Sequence, residues 1–276
     1  MDTGLGVPGS EDAWLRRRAA IERVVVTHFH PDHVGAAGLI GARVSQGALD
    51  YQQCERVWGS EDWPERIRDW FVRHGVPASI ANEDRMWDEA SRAFIRFARD
   101  PDPLREGDSV AGWEVLELPG HADGHIALLR SGTLIAGDHL LPTITPAIGL
   151  YPESRPDPLG DYLASLERTI QLRPRLVLPG HGPPISDPVG RAKELIEHHL
   201  ERLDSTEQLL TSEPRTAYEL SLDLFGEELP ARERRFAVAE TLAHVERLVH
   251  ADRATRDETA GTVAYTQLDV GRRPPS

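Results

Sequence analysis

Residues 27–33 read Thr-His-Phe-His-Pro-Asp-His and directly follow the run Val24-Val25-Val26. A short β-branched run of that kind predicts a buried strand. His28, His30, Asp32 and His33 then lie just past a strand end, at the edge of a sheet. His28 and His30 are two apart and point the same way from extended backbone. Asp32 and His33 follow a turn stiffened by Pro31 and can aim at a neighbouring point. Imidazole and carboxylate are ligands that zinc and similar borderline ions prefer. Two later segments repeat the theme. Leu118-Pro119-Gly120-His121 and Leu178-Pro179-Gly180-His181 each put a histidine on a Pro-Gly turn after an expected strand. Gly137-Asp138 adds a carboxylate after the expected strand 133–136. Two dications in such a cage would bring the pKa of a bridging water toward neutrality and give a hydroxide nucleophile at pH 7. Asp32 can both bind metal and take the proton of the attacking water, which makes it the candidate catalytic residue. This chemistry serves lactones, thioesters, β-lactams and phosphodiesters alike, and no G-x-S-x-G elbow offers a competing nucleophile.

The elements that must position these residues alternate. A helix is expected from Ser10 to about Ala20 and a short one from Gly35 to Ile40. Residues 48–100 mix Trp58, Trp63, Trp70, Phe71, Trp87, Phe94 and Phe97 with many charges. The spacing of Ile67, Trp70 and Phe71, and of Trp87, Ala90, Phe94 and Phe97, predicts two or three amphipathic helices, packed on the domain body or forming a helical lid over a cleft. Strands are expected at 113–118, 126–129, 133–136 and 176–178, with a helix at 158–171. Strand–helix alternation with polar clusters at strand ends marks a layered α/β domain. After the Pro-rich break at 183–188 the periodicity predicts helices at 189–210, 217–225 and 231–250. A hairpin follows, pairing 253–256 with 262–266. Three helices and a hairpin make a winged-helix topology. Gly271 to Ser276 read as a frayed end.

The chain has 276 residues, 39% hydrophobic and 28% charged, enough for a sizeable core. Its formal net charge of −14 repels phosphate backbones and anionic membranes on average. Residues 191–276 carry 12 Arg and Lys against 17 Asp and Glu, a balance of −5, with Arg232 to Arg235 the one basic spot. That balance does not fit a DNA-reading helix. Cys54 is the single cysteine, so neither an internal disulfide nor a thiolate zinc cluster can form. No apolar run approaches a membrane span and no signal-peptide pattern opens the chain, so a cytoplasmic protein is expected.

The run THFHPDHVG resembles the HxHxDH signature of the metallo-β-lactamase superfamily, and the later PGH, GD and PGHG segments fall in that family's order. The resemblance implies a four-layer αββα sandwich over residues 1–188, with a helical insertion at about 48–100 and a winged-helix domain at 189–276. It implies one metal at His28, His30 and His121, a second at Asp32, His33 and His181, and Asp138 bridging them. Asp2-Thr3-Gly4 matches the family's first motif, whose aspartate supports the ligands. Members carry several strands before that turn, so the resemblance implies an N-terminally shortened chain. Zinc is the expected metal, with iron or manganese suited to the same N/O donors.

His125, four residues after His121, is a candidate hydrogen-bond donor to the ligands or a pocket residue. Tyr151 is a candidate donor to a substrate oxygen or a plain loop anchor. His139 is expected to face away from the metals. His74, His198, His199, His244 and His250 have no partner spacing. The reading favoured overall is a metal-dependent hydrolase of a small ester, thioester or lactone, with the tail as a structural unit or a homodimer contact. The alternative is a single-strand endoribonuclease or phosphodiesterase of the same fold. A non-catalytic winged-helix regulator is disfavoured because a binding module has no use for seven metal ligands.

Overall fold

The computed structural model describes residues 1–17 and 20–268; the expected frayed end at 271–276 lies outside the described residues. After helix α1 (Ser10–Arg17) comes strand β1 (Arg23–Val26), a single helical turn α2 (Pro31–Val34), and β2 (Arg43–Gly47). Helices α3 (Ala48–Val57), α4 (Trp63–Arg73) and α5 (Ala78–Arg92) fill the excursion before β3 (Asp102–Leu104), and β1, β2 and β3 pair in parallel. A second sheet holds β4 (Ser109–Val110), β5 (Trp113–Glu117), β6 (Ile126–Arg130) and β7 (Thr133–Gly137), antiparallel in sequence order. Helix α6 (Pro158–Leu172) crosses over to β8 (Leu176–Pro179), which joins β7 in parallel. The chain ends in α7 (Pro188–Gln208), α8 (Ala217–Phe225), α9 (Ala231–His250) and the hairpin β9 (Ala254–Thr259) with β10 (Thr262–Gln267).

Side-chain alternation along the strands builds four layers. Val25 and Leu104 of the first sheet meet Val110, Val115, Ile126 and Leu128 of the second. Val24, Val26 and Val44 face outward, under Val34, Ile40, Cys54 and Phe97. Leu116, Ala127, Leu134 and Val177 face the other way, under Tyr162 and Leu166 of α6, in a core that continues through α7, α9 and the hairpin. This is the four-layer αββα arrangement that the resemblance implies, with the site-bearing loops leaving β1, β5, β7 and β8.

The periodicity places α8 and α9 at their observed bounds. The start of α8 is a capping box, in which Thr216 Oγ1 accepts the Glu219 N–H and the Glu219 carboxylate accepts the Thr216 N–H. Two expectations fail, at 35–40 and along the aromatic stripe, and three strands have no local signal in the sequence. The helix expected at 35–40 is instead the turn α2 at 31–34. Pro31 starts it, because proline has the helical φ built in and no N–H to leave unpaired at the first position. The strands β2, β3 and β4 carry no alternation that marks them; Ser45 and Gln46 of β2 are buried polar residues. The aromatic stripe from Trp87 to Phe97 does not exist as one helix face. α5 ends at Arg92, Trp87 is 52% exposed under the Arg232 guanidinium, and Phe97 packs in the outer core of the first sheet. α5 buries Asp84 and Asp88 instead, because Asp88 pairs with half-buried Arg235 of α9 at 2.8 Å and a buried carboxylate must face its cation. No helix among the described residues is long and apolar enough to cross a membrane.

Two of the histidines read as unpartnered form a pair: His199 and His244 approach to 3.3 Å between α7 and α9. His244 Nδ1 faces the Glu240 carbonyl and therefore carries the proton, so His199 Nδ1–H donates to His244 Nε2. Burial pulls His199 down to about 3 and His244 to about 4. It also pulls isolated His74, at the end of α4, down to about 3. Each binds a proton near pH 6.5 in the unfolded chain but only near pH 3–4 when folded. Folding stability therefore falls on acidification below about 6.5, by up to about 1.4 kcal/mol per pH unit for each group. Both His74 ring nitrogens are buried without a hydrogen-bond partner among the described residues. His74→Leu is expected to flatten the acid limb of urea-unfolding stability by about that slope, measured on chelator-stripped protein. An unchanged limb would show that His74 titrates normally.

Candidate metal centre

The extended stretch after β1 sends His28 and His30 to the sheet edge, and α2 then turns Asp32 and His33 onto the same opening. The turns after β5, β7 and β8 deliver His121, Asp138 and His181. All seven meet. Their donor atoms form three overlapping groups, each within 4.8 Å: His28, His30 and His121; His28, His33 and Asp138; Asp32, His33 and His181. His30 Nδ1 lies 2.8 Å from His121 Nε2, and His33 Nε2 lies 3.2 Å from His181 Nε2. Asp138 Oδ1 is 3.4 Å from His33 Nε2, and its Oδ2 is 3.5 Å from His181 Nε2 and 3.8 Å from His121 Nε2. Asp32 Oδ2 is 3.1 Å from His181 Nε2, and both side chains are about half exposed at the mouth.

Glycine at the Pro-Gly-His turns has a packing reason. A β-carbon on Gly180 would overlap Asp138 Oδ1 and crowd the His33 ring, and one on Gly120 would strike the Tyr162 backbone. Only glycine lets these two turns pass so close.

Hydrogen bonds behind the ligands fix which nitrogen faces inward. Asp2 takes three donors. Its Oδ1 accepts the Thr27 N–H at 2.7 Å, and its Oδ2 accepts the Thr27 hydroxyl at 2.9 Å and His33 Nδ1–H at 3.0 Å. Since the Thr27 proton goes to Asp2, Thr27 Oγ1 accepts from His28 Nδ1–H at 3.0 Å. His121 Nδ1–H donates to the Ala147 carbonyl at 2.8 Å. In His28, His33 and His121 the Nε2 atom is thereby the inward one, the tautomer a metal requires. Asp2 itself sits at φ +49°, a left-handed conformation that aspartate tolerates better than most residues.

Within this ligand cluster, His28 Nε2 and Asp138 Oδ1 are buried with no hydrogen-bond partner among the described residues. Buried polar atoms rarely go unpaired, and both belong to the same ligand group. The donor set therefore fits divalent metal ions. Burial and the neighbouring rings hold His28 and His30 well below the usual imidazole range, so both present lone pairs. Burial also works on His33, but the Asp138 and Asp2 carboxylates outweigh it and push its pKa up to about 10. Burial would raise Asp138, yet His33, His121 and His181 hold its carboxyl below the ordinary range.

The other candidates fall differently. His125 is fully buried, its ring 5.0 Å from that of His28, and neither of its nitrogens finds a partner among the described residues. His139 Nε2 contacts Thr169 Oγ1 at 2.8 Å, away from the ligands. Tyr151 packs on the large core against Phe71, and the charged groups acting on its hydroxyl are Arg235, Asp88, Glu240 and Asp84 of α5 and α9, not the metal-centre residues. Sequence reasoning missed Asp50. It is fully buried and accepts the Phe29 N–H, between His28 and His30, at 3.0 Å and Gln46 Nε2–H at 2.6 Å. Nothing near Asp50 in the sequence signals that role.

A family model described as "Metallo-beta-lactamase superfamily" matches residues 1–47 and 55–181, and one described as "Metallo-beta-lactamase-like, C-terminal domain" matches 203–268. The chain is 29% identical to the probable metallo-hydrolase YqjP of Bacillus subtilis over 260 residues, covering 89% of this chain and 80% of that protein. It resembles the crystal structure of a metallo-beta-lactamase family protein from Thermus thermophilus, with TM-score 0.83 and 37% identity, over 96% of this chain and 88% of that one. More distantly, 120 residues are 24% identical to a hydroxyacylglutathione hydrolase of Alkalilimnicola ehrlichii, covering 44% of this chain and 33% of that protein.

Proposed function

Since the chain belongs to the metallo-beta-lactamase superfamily, and is thereby a metal-dependent hydrolase, we propose that it holds two divalent ions and hydrolyses a small ester, thioester or lactone. The observation that carries the dinuclear reading is the middle ligand group. It takes His28 from one set and His33 from the other, with Asp138 between them. In this reading His28, His30 and His121 would hold one ion, Asp32, His33 and His181 the other, with the Asp138 carboxylate available to both. Ions bound there supply Lewis acidity and bring the pKa of water toward neutrality. Asp32, exposed at the mouth, accepts the proton of the attacking water and orients it. Asp2 and the Ala147 carbonyl keep the ligand rings in place through the reaction.

Two features favour a small acyl substrate. The net charge of −14 opposes a polyanion. A relative carries the name of a hydrolase of hydroxyacylglutathione, a thioester. The test is a panel of lactone, thioester, β-lactam, phosphodiester and single-stranded RNA substrates, run on protein loaded with zinc, iron or manganese. Turnover is expected on the thioester or lactone. RNA cleavage without carbonyl turnover would overturn this reading.

A further inference from the structure

We infer that Arg191, on the first turn of α7, is a positioning residue for the metal centre: it clamps the segment between Asp138 and Ala147 and so holds the acceptor that orients His121. The inference rests on the metal-centre reading above. Its observations lie outside the seven ligands.

Arg191 stands 53 positions after Asp138 in the sequence, on a helix that packs against α6 and α9. Its guanidinium reaches back to the segment that follows β7. Nε–H donates to the Leu141 carbonyl at 2.8 Å and an Nη2–H to the Ile144 carbonyl at 3.0 Å, while Nη1 pairs with Glu194 at 3.0 Å. Residues 141–150 have no helix or strand to satisfy their backbone. Carbonyls in such a stretch must find partners elsewhere, and one planar fork serves two of them, three residues apart. The clamped piece lies between two contacts with the site. Three residues before Leu141 is Asp138; three after Ile144 is Ala147, whose carbonyl accepts His121 Nδ1–H. The segment also packs on the last Pro-Gly-His turn, because a β-carbon on Gly182 would meet the Pro142 ring.

Arg191 therefore ties α7 to the loop that determines which His121 nitrogen faces the metal. Lysine cannot replace it, since a point ammonium does not present two N–H groups in a fixed plane to two separated carbonyls. Partners behind metal ligands typically carry 10–100-fold in metal affinity, and Arg191 acts one step further out, so about tenfold is expected.

The test uses the full chain with cobalt(II) in the metal centre. Cobalt affinity is measured by chelator competition, together with the visible d–d spectrum, on the natural protein and on Arg191→Ala, Arg191→Lys and Glu194→Gln. We expect two ions in the natural protein. Both Arg191 variants should bind one of them about tenfold more weakly with an altered d–d band, and Glu194→Gln should leave both unchanged. Thermal unfolding of the metal-free forms is read alongside. Unchanged affinity and spectrum in Arg191→Ala would overturn the inference. So would equal loss of both ions that merely tracks a drop in metal-free stability, or full rescue by lysine. No step involves a substrate, so failure of the acyl-hydrolase reading leaves the result standing. Absence of cobalt binding in the natural protein would instead strike the metal-centre reading itself.

Discussion

Asp138→Asn is expected to lower turnover by about three orders of magnitude and to reduce the bound metal from two ions to one or none. The carboxylate faces imidazoles from three separate loops, with Oδ1 3.4 Å from His33 and Oδ2 3.5 Å from His181 and 3.8 Å from His121. It belongs to the ligand group that joins the two sets. Asparagine keeps the shape and removes the charge, so the fold should survive while the charge that two cations would share disappears. Stabilisation of a reacting group by a metal is worth several kcal/mol, and about 1.4 kcal/mol corresponds to a factor of ten in rate. Metal content by elemental analysis and kcat on the best substrate check the two halves separately. Two tightly held ions with full turnover in the variant would end the bridging assignment.

Asp2→Asn should weaken metal binding by about 10- to 100-fold, the range typical for residues that orient metal ligands. Asp2 accepts three hydrogen bonds at two oxygens: the Thr27 N–H, the Thr27 hydroxyl and His33 Nδ1–H. An amide offers one acceptor and one donor. Whichever way it turns, an N–H group faces another N–H or O–H. If Oδ2 is lost, His33 loses its anchor and the Thr27 hydroxyl is free to reverse, which releases His28 as well. The change touches no metal directly, so it separates orientation from ligation. The check is a chelator competition at fixed pH, with metal-free melting as the control for folding. An affinity within twofold of the natural protein would mean that the ring orientations are held by packing alone.

Distance along the chain explains the pattern of success and failure in the fold. The elements read correctly are those whose signal is local. Val24 to Val26 is a hydrophobic run, α6 has its helical period, and α8 opens on Thr216 with Glu219 three residues on. β2 and β3 are strands because β1 lies beside β2, which tertiary pairing decides and composition does not. α5 carried an aromatic spacing that suggested a buried face, but the pairing of buried Asp88 with Arg235, 147 residues away, turned the helix the other way.

The metal centre divides along the same line. The seven residues proposed as its ligands could be picked out because a candidate ligand is a chemical identity: imidazoles and carboxylates placed on short turns directly after strands, and the structure brings their donor atoms together. The groups that make those ligands usable were not legible. Asp50 beneath Phe29, the Ala147 carbonyl on His121 and Arg191 on Leu141 and Ile144 are 21, 26 and about 50 residues from what they hold. A hydrogen bond between distant residues depends on how loops stack on the finished sheets, and any aspartate, any peptide carbonyl or any arginine in the sequence looks equally suited to it. Residue identities name the atoms that could bind metal; the stacking of loops on the finished sheets selects which nitrogen of the His28, His33 and His121 rings faces inward and what keeps it there.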